Sequence, residues 1–142
     1  MANTKPYVAA ALLCEKVLHD ADGVASLIRI VDRFTIIVPK LPSNIAPSVE
    51  LTGYFALKSG EVRGTSEITL KLRKPDGQVV DVPNKWPITL NGDEHGATVT
   101  LHLGLPPVWG LYWLELHWNG ELLSSAPFRL VEAQESQPKP DK

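Results

Sequence analysis

The feature that most constrains this chain is an alternation of apolar and polar residues with a period of two, repeated along much of its length. Ala97, Val99, Leu101, Leu103 and Leu105 alternate with Thr98, Thr100 and His102. Tyr112, Leu114, Leu116 and Trp118 alternate with Trp113, Glu115 and His117, and Ile68, Leu70 and Leu72 with Thr69, Lys71 and Arg73. Successive side chains of an extended strand leave opposite faces, so each run makes a strand with one buried and one outward face.

Turn chemistry separates these runs. Asn119-Gly120 lies between the run ending at Trp118 and Glu121–Leu123, and both residues tolerate the positive φ of a two-residue hairpin. Pro75-Asp76-Gly77 divides Ser66–Lys74 from Gln78–Val82. Asp20-Ala21-Asp22-Gly23 precedes an apolar segment read as one piece, Val24–Val38, and Pro39–Pro47 interrupts the chain before Val49–Leu57. Short strands at this spacing predict an all-β fold, an antiparallel, immunoglobulin-like β-sandwich of about eight or nine strands. With 142 residues the chain has the length of one domain, expected over 1–131. The remainder, 132–142, is Gln, Ser, Pro and charge, and is expected to be a disordered tail.

Pro6–Leu18 sets propensity against context. Its Ala and Leu content, Pro6 at a first-turn position and Gly23 as a stop favour a helix. The following segment is β-branched and begins after an Asp-Gly turn, which suits a hairpin partner. Tertiary pairing overrides weak propensity, so Pro6–Leu18 is read as a strand.

Composition narrows the function classes. Charged residues are 21% and the net charge is −2, with no long run of one sign, so neither nucleic acid nor an anionic membrane is an expected partner. The apolar stretch Tyr7–Cys14 is too short to span a bilayer and lacks the basic lead of a secretory signal. The single Cys14 forms no intrachain disulfide, which suits a reducing cytoplasm and a fold held by its core without metal or cofactor.

Particular residues carry a family resemblance. Ala11-Leu12-Leu13-Cys14-Glu15-Lys16-Val17, Asp22-Gly23 and Ser26-Leu27-Ile28-Arg29-Ile30-Val31-Asp32-Arg33-Phe34 resemble the opening of a family of short bacterial proteins catalogued only as a domain of unknown function, DUF6941. Lys74-Pro75-Asp76-Gly77 with Val79-Val80, Gly110-Leu111-Tyr112-Trp113 and Asn119-Gly120-Glu121-Leu122 extend the likeness, which covers about residues 7–131. The resemblance implies a bacterial β-sandwich and brings no catalytic residues.

Candidate reactive groups have simpler explanations. Cys14 lacks a partner pattern for a nucleophile and reads as a small buried hydrophobe. His19, His95, His102 and His117 match no compact ligand spacing, and His102 and His117 fall on strands that can belong to different sheets. Asp20 and Asp22 lack the further oxygen ligands of a calcium loop, and Asp93-Glu94-His95 follows Asn91-Gly92 in a polar loop. The glycines are scattered singly, so no phosphate-binding loop is present.

The tryptophans are more informative. Trp109 ends the stiff loop Pro106-Pro107-Val108-Trp109, and alternation turns Trp113 away from Tyr112 and Leu114. Rigidly displayed aromatics anchor partners, while large aromatics also cap cores, and both readings stay open for Trp109 and Trp113. The candidate partner-binding residues are therefore Pro106, Pro107, Val108, Trp109 and Trp113. The expected function is a non-catalytic module that binds another protein or a second copy of itself. A carbohydrate-binding module is the alternative, and a small enzyme is third.

Overall fold

The computed structural model describes residues 5–22, 24–37, 48–94 and 96–133, and within them nine strands form two sheets. They are β1 (Tyr7–His19), β2 (Ala25–Ile30), β3 (Arg33–Ile36), β4 (Val49–Lys58), β5 (Arg63–Arg73), β6 (Val79–Asn91), β7 (Gly96–Leu105), β8 (Gly110–Trp118) and β9 (Glu121–Glu132). One sheet has the order β2-β1-β4-β7 and the other β3-β9-β8-β5-β6. The chain is an immunoglobulin-like β-sandwich.

The alternation predicts the core. Leu13, Phe55, Val99 and Leu101 from the four-stranded sheet are buried together with Ile68, Leu70, Leu114, Leu116 and Phe128 from the five-stranded one. Gly53 faces this layer because a Cβ there would stand 2.8 Å from Leu114 Cδ2. Tyr7–His19 is a strand despite its Ala and Leu, paired with β2 on one side and β4 on the other. Two flanking ladders outweigh helix propensity.

The turns form as their residues dictate. Asn119 (φ 49°) and Gly120 (φ 79°) are both left-handed and join β8 to β9 as a tight hairpin. Between β5 and β6, the Gly77 N–H donates to Lys74 O at 2.9 Å and the Lys74 N–H to Gln78 O at 2.8 Å. The Asp76 carboxylate accepts from the Gln78 N–H at 2.9 Å, which pins the turn a second time.

Two expectations need correction. Val24–Val38 is not one strand: β2 pairs with β1, and the chain then changes sheet to become β3. The Val31 N–H bonds to Leu13 O in one sheet while Asp32 O accepts from the Arg129 N–H in the other. The crossing takes adjacent residues with no glycine or proline, so no turn signal marks it. The β3–β9 pair that results is parallel, within a sandwich that is mostly antiparallel as expected. Finally, β6 and β9 are longer than expected, running to Asn91 and Glu132. β6 passes through Pro83 and Pro87, which an edge strand tolerates, and Val82, Pro83 and Asn84 bulge opposite Leu70. Beyond Ala133 the expected tail lies outside the described residues, as do Pro39–Pro47 and His95.

Candidate functional site

The Pro106–Trp109 loop carries the chain from β7 in one sheet to β8 in the other. It is held from two directions. The Val108 N–H donates to Pro106 O at 2.8 Å, a three-residue turn around Pro107. The Tyr112 hydroxyl donates to Val108 O at 2.6 Å, a bond of the tyrosine-corner type found in immunoglobulin-like domains. Tyr112 is buried, with its ring stacked on Phe128 at 5.0 Å between centroids. Burial, and secondarily the Asp76 carboxylate, raise the phenol above its ordinary value, so it stays a donor. The Val108 side chain remains 53% exposed above this anchor.

The pinned β5–β6 turn faces the loop. Between them is a cavity of about 150 Å³, lined by Pro75 from the turn, by Leu105, Pro106 and Val108 from the loop side, and by Tyr112. Lys74 and Asp76 add one charge of each sign. Gly110 (φ 133°) lets the two segments close up, since a Cβ there would stand 2.8 Å from Pro75 Cβ.

The five residues singled out from sequence do not all meet. Pro106 and Val108 line the cavity. Half-buried Trp109 packs against the core, the capping arrangement. Trp113 is half-buried on the outward face of the five-stranded sheet, in register with Pro127 on one side and Arg73 on the other. Neither tryptophan lines the cavity. Sequence reasoning missed Pro75, Leu105 and Tyr112 as wall residues. Pro-Asp-Gly marks a turn, and nothing in it says which loop that turn will face.

The remaining candidates sort by environment. Cys14 is fully buried, and burial pushes its thiol up. It should resist a thiol reagent such as Ellman's reagent in the native protein and react only as the chain unfolds, and rapid stoichiometric labelling would contradict this placement. His102 and His117 stand in different sheets, with His102 Nδ1 3.3 Å from Thr52 Oγ1. Glu115, expected on an outward face, is almost fully covered: Arg73 Nη2 bonds it at 3.0 Å and His117 Nε2 lies 3.7 Å away. Long neighbours on the same face fold over it. Asp22 completes its turn by accepting from the Val24 N–H at 3.1 Å. Among the described residues no group of three or more His, Cys, Asp or Glu is placed to hold a metal ion.

Solved structures of similar outline are distant. An immunoglobulin-like protein from Pseudomonas aeruginosa is 16% identical with a TM-score of 0.44, covering 92% of this chain and 99% of that one. The alkylpurine DNA glycosylase AlkC of Pseudomonas fluorescens, bound to DNA containing an abasic site analog, is 11% identical with a TM-score of 0.45, over 85% of this chain and 30% of that one. No curated protein matches the sequence. The sequence model of a family of unknown function, DUF6941, matches residues 9–131, and the chain belongs to that family.

Proposed function

We propose that this domain is a non-catalytic protein-interaction module that docks an aliphatic side chain of a partner polypeptide in the cleft between the Pro75 turn and the Pro106–Val108 loop. The observation that carries this reading is a cavity of about 150 Å³ held open between two hydrogen-bonded loops. A volume of that order lined by apolar groups accepts a benzene-sized guest. Rigid walls lower the ordering cost of binding. The Tyr112 hydroxyl is committed to Val108 O, which leaves Lys74 and Asp76 as the titratable groups of the lining without a recognisable nucleophile. Sugar binding has less support, because such sites use a displayed aromatic platform and both Trp109 and Trp113 are half-buried outside the cleft. A buried lone cysteine suits a cytoplasmic setting.

The test is selection from a random peptide library displayed on phage, followed by affinity measurements on Val108→Asp. A charge at the cleft mouth is expected to weaken the selected aliphatic peptides at least about tenfold, a loss of about 1.4 kcal/mol, with the melting temperature unchanged. A selection in which no class of peptide loses affinity on the variant would place docking elsewhere. Saturable binding on a glycan array, with no peptide selected, would overturn the class.

A further inference from the structure

We propose a second docking surface, for an extended segment of a partner polypeptide bearing a carboxylate next to an aliphatic side chain, in the groove along the seam where the chain changes sheet. This surface shares no residue with the loop cleft, so it stands independently of the function proposed above.

The groove has two halves. One, about 310 Å³, is lined by Leu12, Ile30, Val31 and Ala126 among others, and Ile30 is 62% exposed there. The other, about 240 Å³, is lined by Arg33, Arg129 and Leu111, with Phe128 beneath. Asp32 and Pro127 line both halves, so the two hollows are adjacent.

The charge pattern identifies the occupant. Arg33 and Arg129 are direct partners in the β3–β9 ladder and both are exposed. Four other strand cations face anions: Lys71 faces Asp81 at 3.9 Å, Lys85 faces Glu67 at 3.8 Å, Arg73 faces Glu115 at 3.0 Å and Arg29 faces Glu15 at 3.1 Å, while Lys16, Lys58 and Arg63 stand singly and none is the ladder partner of another cation. Among the described residues neither Arg33 nor Arg129 has an ion-pair partner, not even Asp32 beside them. Like charges side by side on a ladder are destabilising unless an anion lies between them. Paired guanidinium forks hold a carboxylate with two parallel bonds each, which a lysine pair does not.

Shape separates a peptide from a free fatty acid. Small-molecule sites enclose most of their ligand, whereas both hollows are open to solvent. An extended peptide sends alternate side chains to one side about 6–7 Å apart, which suits an aliphatic residue in one half and an acid in the other.

The same displayed peptide library tests this with different variants. Peptides selected on the wild-type protein are expected to include a class enriched in Asp or Glu beside Leu, Ile or Val. That class should lose at least about tenfold in affinity on Arg33→Gln/Arg129→Gln and on Ile30→Asp, and none on Val108→Asp. The double arginine variant should melt at the same or a higher temperature, because it removes a like-charge pair. Absence of an acidic class, or an acidic class indifferent to the arginine variant, would overturn the proposal. So would decanoate binding at the arginines when no acidic peptide is selected, which would make the ligand a free fatty acid.

Discussion

Phe128→Ala is expected to lower the unfolding free energy by about 3–5 kcal/mol, measured by urea denaturation. Phe128 is 1% exposed and joins three strands: its ring stacks on Tyr112 from β8 and meets Phe34 from β3 edge-on at 6.2 Å. Each aromatic pair is worth about 0.5–1.5 kcal/mol beyond burial, so part of the loss is specific to the cluster. The substitution should also loosen the loop, because the Tyr112 ring that positions the Val108 bond would lose its stacking partner. A loss below about 1 kcal/mol would mean that the β3–β9–β8 packing is not as described.

Leu114→Ala should cost about 2–5 kcal/mol, while Thr100→Ala should change stability by no more than about 0.5 kcal/mol. Leu114 is fully buried against Gly53, which has no side chain to move into a vacancy. Thr100 is half-buried on the outward face of the four-stranded sheet, beside Tyr54 in the β4–β7 ladder. Equal losses from the two substitutions would show that the register of β7 or β8 is shifted by one residue, since a one-residue slip exchanges the faces.

What was legible in the sequence is what local chemistry decides. Period-two patterns identified the inward sets Val99, Leu101 and Leu103, and Tyr112, Leu114 and Leu116. Asn119-Gly120 and Pro75-Asp76-Gly77 identified their hairpins. The missed features depend on partners distant in the chain. Val31-Asp32 changes sheet with no turn residue because the change is made by hydrogen bonds to Leu13 and Arg129. β6 runs on past Val82 through Pro83 and Pro87, which only its edge position makes acceptable. For the cleft, the stiffness of Pro106–Val108 was visible, while its opposing wall comes from a turn some thirty residues earlier, between β5 and β6. The side-by-side placement of Arg33 and Arg129 follows from a parallel pairing that neither strand announces.

That parallel pairing also orders events in time. β3 lies early in the chain and, among the described residues, its only ladder partner is β9, the last of the nine strands, so closing this pair is among the most non-local steps in the fold. Contacts of such separation carry the entropy of a long loop before they return any stabilisation, and topologies rich in them fold slowly. On the ribosome the hairpin of β1 with β2 can form as soon as both strands emerge, whereas β3 must wait for nearly the whole domain to be synthesised. The seam is consequently the last part of the surface to be completed, and a chain truncated before β9 would expose Phe34 and lack one of the two arginines.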